Sequence, residues 1–266
     1  MERRLVTRLV TAWFGFAVLA QNACAAPSAE EIMAKNLLAT KVVDSTTAST
    51  FRLINPSGQE RVRETDGASK LIAGTTDNRR LVSFLSPSDI RGTKTLLIEH
   101  SNAEDDMWIY LPAMKKVRRL VASNKKDSFV GTDFSYGDVI GYKVEEWNHK
   151  LLREENVTCR DCYVIESTPK DAQVGTNTGY SKRISWVDKE SFVALRIEIY
   201  DSSGQLLKKL SEEDVQRVDS NNNRYQPMKL IAENVQTGHK TIIEFKNFKA
   251  NVGIGDDVFT ARSLDR

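Results

Sequence analysis

The sequence predicts a mostly β protein built on one large, curled antiparallel sheet, an incomplete β-barrel. Three observations carry that expectation. Strand-like runs recur at regular spacing between residues 49 and 248, separated by turn residues. Several alternate cleanly, as where Leu195, Ile197 and Ile199 face one way and Arg196 and Glu198 the other. No run is followed by a full helical period, which excludes a βαβ chain. A sheet of so many strands must curl, or it leaves a long apolar face in water.

The elements follow in order. Ser28-Ala29-Glu30-Glu31 is a capping box, and Ile32, Met33, Leu37 and Leu38 give the helix it starts one apolar side, to about Val43. Asn55-Pro56-Ser57-Gly58 is a turn between extended runs at 49–54 and 59–64. Further strands are expected at 80–85, 95–100, 107–111, 117–121, 142–153, 163–168, 182–187, 193–201, 206–217, 228–235 and 241–248, in meander order. The loop over 123–141 should carry a short helical turn near 136–140. That loop and the first helix are the pieces available to cover the open side. There is no internal repeat or low-complexity linker, so residues 26–266 read as a single domain.

Residues 1–25 read as a cleavable secretory signal. Arg3, Arg4 and Arg8 precede an uncharged run from Leu9 to Ala20, and Ala23-Cys24-Ala25 supplies small residues at the cleavage point. That run falls short of the ~20 residues a spanning helix needs. Gln21 and Asn22 are polar where lipidation at Cys24 would want an aliphatic and a small residue, so cleavage after Ala25 is expected. Losing Arg3, Arg4, Arg8 and Glu2 leaves 35 basic and 35 acidic residues. A neutral chain argues against nucleic acid as a partner. Cys159 and Cys162, a CxxC between two strands, are expected to form a structural disulfide in an oxidising compartment. A redox pair would want a helix N-terminus, and zinc a second half-site.

Catalytic motifs are lacking. The histidines are His100, His149 and His239; there is no HExxH, no GxSxG elbow and no P-loop. A non-enzymatic protein without cofactor or metal is expected; a hydrolase using Ser135 or Ser128 with His100 is a weak alternative. Glu104, Asp105 and Asp106 read as a solvated turn guarding a strand edge. Lys115, Lys116, Arg118 and Arg119, with Lys125 and Lys126, form either a charged hairpin face or a patch for anionic headgroups. The strand Met107-Trp108-Ile109-Tyr110-Leu111 is apolar on both faces, so both should be covered. Candidate ligand-binding residues are Trp108, Tyr110 and Leu111 on the sheet, with Phe129, Phe134 and Tyr136 on the loop.

The words "MWIYLPAMKKVRRL" and "SFVGTDFSYGDV" resemble the LolA/LolB-like family of outer-membrane lipoprotein-sorting proteins. Agreement extends through "LINPSGQERVRE", "FLSPSDIRGT", "CYVIESTPK", "YSKRISWVDKES" and "QTGHKTIIEF". The resemblance implies an incomplete barrel with a short helical lid over an apolar cavity, and a monomeric periplasmic carrier of lipoprotein or lipid acyl chains moving toward the outer membrane. It also implies an RND-type membrane transporter as partner. The alternative is an accessory subunit of such a transporter with no ligand of its own.

Overall fold

The computed structural model describes residues 26–265. The expected signal segment, with Cys24, lies outside the described residues. The chain opens on α1 (Ala29–Ala39), whose capping box forms as its sequence predicts. The Ser28 hydroxyl accepts from the Glu31 N–H at 3.1 Å, and the Glu31 carboxylate accepts from the Ser28 N–H at 2.8 Å. Ile32 and Met33 are fully buried, so this face of α1 plugs the interior of the sheet.

Thirteen antiparallel strands follow: β1 (Asp44–Ile54), β2 (Glu60–Leu71), β3 (Asn78–Ser86), β4 (Lys94–Ile98), β5 (Asp106–Leu111), β6 (Lys116–Leu120), β7 (Trp147–Val157), β8 (Arg160–Pro169), β9 (Tyr180–Asp188), β10 (Ala194–Asp201), β11 (Leu206–Asp219), β12 (Arg224–Asn234) and β13 (Lys240–Ala250). They form one sheet in the order β6-β5-β4-β3-β2-β1-β13-β12-β11-β10-β9-β8-β7. The expected meander is therefore folded on itself. β1 pairs with β13, Phe51 opposite Ile243, and the free edges are β6 and β7. These edges are consecutive in the chain, so the segment joining them spans the slit where the barrel stays open.

That segment contains 3-10 turns at Ala122–Lys126, Phe129–Gly131 and Val144–Glu146, and the short helix α2 (Tyr136–Ile140) expected there. A further helix, α3 (Ala172–Thr178), was not expected. Its first turn is capped by the Asp171 carboxylate, which accepts from the Val174 N–H at 2.9 Å, and Gly179 ends it at φ +76°. α3 rests against the first turn of the lid and against β8 and β9.

After β13 the chain recrosses the outside of the sheet. The Asp44 carboxylate accepts from the N–H groups of Val252, Gly253 and Ile254 and fixes this departure. Asp256 then pairs with Lys70 at 2.8 Å, and Phe259 and Leu264 are buried against Leu96 on the outer face of β4.

The expected Cys159–Cys162 disulfide is corrected by the structure, in which both thiols are free. Thr158 (φ +48°) and Cys159 (φ +66°) are the two central residues of a tight hairpin between Val157 and Arg160, which leaves Cys159 exposed. Cys162 lies two residues into β8, packed with Val164, Trp186 and Leu195. Burial pushes its thiol up to about 11, with Asp188 and Asp161 adding to the effect.

Candidate functional site

The inside of the sheet is lined unevenly, and this leaves it hollow. On β1 and β2 the inward positions hold Ser45, Thr47, Ser49, Thr65, Gly67 and Ser69, side chains too short to reach across. The lining continues through Phe245 and Ile243 on the neighbouring β13, paired with Ser49 and Phe51, to Leu230, Leu210 and Ile197 on β12, β11 and β10. A cavity of about 350 Å³ remains inside. Gly67 has no room for growth, since a Cβ there would sit 3.1 Å from the Thr47 methyl.

The lid roofs this space with Phe129, Phe134, Val139 and Ile140. Side chains tie it to both halves of the sheet. From β2 and β3, Arg63 and Arg80 donate to the backbone carbonyls of Val130 and Val139. From β13, the Thr241 hydroxyl donates to Asp133 at 2.7 Å. From β11 and β9, Lys208 forms a buried ion pair with Asp138, and the Tyr180 hydroxyl donates to the same carboxylate at 3.0 Å. Burial alone would raise the Asp138 carboxyl, but the Lys208 ammonium more than offsets it and holds it low. Burial would lower Lys208, but Asp138 and Tyr180 together raise it, and burial with Asp138 pushes Tyr180 up to about 12. Ser135 caps α2 by accepting from the Asp138 N–H. Val130 sits at φ +49°, a rare backbone state for a β-branched residue, with its carbonyl held by Arg63.

The cavity wall is not uniformly apolar. Lys41 and Glu99 pair with each other at one end. Arg80, Arg183 and Glu212 also line the space. Burial pushes the Glu212 carboxyl up to about 7 against the opposing charge of Arg183.

Of the expected ligand-binding residues, Phe129 and Phe134 line the cavity. Tyr136 packs edge-on against Phe129, with 5.3 Å between ring centroids, and lies one layer behind. Trp108, Tyr110 and Leu111 lie away from it. Met107 faces inward, so strand alternation turns Trp108 and Tyr110 outward, where Leu96, Phe259 and Leu264 form a packed cluster. Leu111 pairs with Lys116 at the tip of the β5–β6 hairpin. The two-sided apolar character of β5 was legible; the cover on its outer side is the chain's own C-terminal segment. The Ser/Thr wall and Arg183 were missed, because short polar residues and a lone arginine in a strand look like a solvated face.

The hydrolase constellation does not assemble. His100 bonds Asp106 through Nε2 at 3.0 Å, the Ser128 hydroxyl donates to the Thr132 carbonyl, and Ser135 is engaged by α2 and Tyr180. The acids of the β4–β5 turn are partly engaged, Asp105 with Lys125 of the lid and Asp106 with His100 and Arg119. His149 is half-buried with both ring nitrogens bonded, to Ser167 and to the Val144 carbonyl.

A family model described as an uncharacterized protein family matches residues 76–266. The crystal structure of a DUF1329 family protein from Desulfovibrio piger is 30% identical, covering 89% of this chain and 97% of that one with a TM-score of 0.81. The chain belongs to the DUF1329 family. DUF1329 is LolA-like. A Vibrio parahaemolyticus domain named for outer membrane lipoprotein sorting superposes on this DUF1329 chain with a TM-score of 0.82, at 28% identity over 90% of this chain and 98% of that one. A LolA superfamily protein from Nitrosomonas europaea shares the fold, with a TM-score of 0.67 and 24% identity over 88% and 98%. No curated protein matches this chain. Among the described residues, no helix is long and apolar enough to cross a membrane.

Proposed function

We propose that this DUF1329 protein is an envelope carrier that shelters an acyl chain of a lipoprotein or lipid beneath its lid, in the periplasm, on the way to the outer membrane. The carrying observation is the hollow lined by short Ser/Thr/Gly side chains of β1 and β2 and by Ile, Leu and Phe of β10–β13, roofed by a lid on side-chain ties. An acyl chain contributes about 0.8 kcal/mol per buried CH₂, so a hollow of this kind competes with a membrane and still releases its load. The sorting name of the Vibrio relative supports the same compartment and task. An accessory subunit with no ligand would call for a filled interior, and the 350 Å³ hollow disfavours it.

The test fills the hollow from its small side. Ser49→Phe puts a ring where β1 carries a hydroxymethyl group facing the cavity. Uptake of a fluorescent fatty-acyl probe should fall about tenfold or more, with little loss of melting temperature because the ring enters open space. Undiminished uptake with the ring in place would move the acyl site elsewhere and remove this reading.

A further inference from the structure

Arg183 is a buried cation with no ion-pair partner among the described residues, set in the wall of the cavity. It stands on β9 and is 6% exposed. Its guanidinium lies over the Tyr142 ring, 3.8 Å from the centroid, and its Nε has no hydrogen-bond partner. It forms no ion pair with any described residue. A buried charge left so is among the costliest arrangements a fold can keep. An aromatic face offsets part of that cost but offers no acceptor to the planar fork of N–H donors.

The other charges of the wall reach this cation only through space: Asp138 and Glu212 feel its field, and neither pairs with it. Lys41 is taken by Glu99, and Asp138 by Lys208. Arg80, from β3 across the cavity, donates to the Val139 carbonyl and also has no carboxylate. Glu212 is the remaining acid; it makes no ion pair with Arg183, and burial raises its carboxyl to about 7 against the Arg183 charge. Two guanidinium groups thus border one hollow whose apolar lining includes Leu230, Ile243 and Phe245. A volume of about 350 Å³ lies at the small end of ligand pockets, which suits one chain better than several.

We propose that the cargo is a single-chain amphiphile with an oxyanion headgroup, a carboxylate or a phosphate, held by Arg183 with Arg80 while its tail lies on the apolar wall. This rests on the carrier reading and names its cargo class. A two-oxygen head accepts the guanidinium fork side by side.

Displacement of a fluorescent acyl probe tests it, using palmitate, hexadecyl phosphate and hexadecanol, with acetate and inorganic phosphate as tail-free controls. Wild type should bind one of the two anionic amphiphiles about tenfold or more tighter than the alcohol, and their ranking identifies the head. Arg183→Met should erase that preference and keep the alcohol's affinity; Arg183→Lys should keep part of it. Equal binding of acid and alcohol by wild type overturns the proposal and leaves the carrier reading standing, whether or not the methionine variant folds. Preference surviving in Arg183→Met overturns the role of Arg183, and displacement by inorganic phosphate alone overturns the amphiphile. If no amphiphile displaces the probe, the carrier reading falls as well.

Discussion

The two faces of the sheet are both covered, yet only one is packed solid. Outside, the C-terminal segment lays Phe259 and Leu264 onto Leu96, Trp108 and Tyr110 and closes a cluster. Inside, the lid covers β1 and β2, whose inward residues are mostly serine, threonine and glycine beside Phe51, and a hollow remains. Cover alone therefore does not make a core; side-chain length on the covered face decides it. The aromatic-rich face looks like a binding surface in the sequence and is the filled one.

Substitutions on each face should separate the two. The largest expected effect is outside. Phe259→Ala should cost about 3–5 kcal/mol of unfolding free energy, as for a buried aromatic, and Trp108→Ala should also destabilise, with probe uptake by the folded fraction unchanged. Denaturant midpoints measured beside uptake check this, and lost uptake at full stability would break the comparison. Phe134→Ala, on the hollow side, should cost less, about 1–2 kcal/mol, because part of its surface already borders empty space, while uptake falls. The smallest effect concerns Glu212. Its carboxyl is raised in the fold from 4.5 to about 7, so its contribution is fully present below pH 4.5 and is lost as pH rises through about 7. Wild-type melting temperature should fall across that window, and Glu212→Gln should flatten that part of the profile. Identical profiles would mean that Glu212 is solvated rather than part of the wall.

Much of the fold was legible because alternation and turn residues act locally. The capping box at Ser28, the strands and the helical turn at 136–140 all came from such signals. The pairing of β1 with β13 did not, since no local pattern says which distant strands meet. α3 escaped because Ala172–Thr178 is short and carries no apolar stripe, although Asp171 and Gly179 are suitable caps. At the site, Phe129 and Phe134 were legible as aromatics on a loop. The hollow was not, because empty space is written as short side chains, and Ser45, Thr47 and Ser49 look ordinary in a strand. The outward turn of Trp108 needed knowledge of what the last residues cover.

The slit between β6 and β7 has a mechanical consequence. No ladder of backbone hydrogen bonds crosses it among the described residues, so the cylinder is a split ring and not a closed hoop. A closed hoop widens only by breaking strand pairs along its whole height. A split ring widens by flexing, and the joining segment can swing away while every neighbouring strand keeps its partner. The resistance to opening then resides in a handful of side-chain ties, Arg63, Arg80, Lys208 and Thr241 among them.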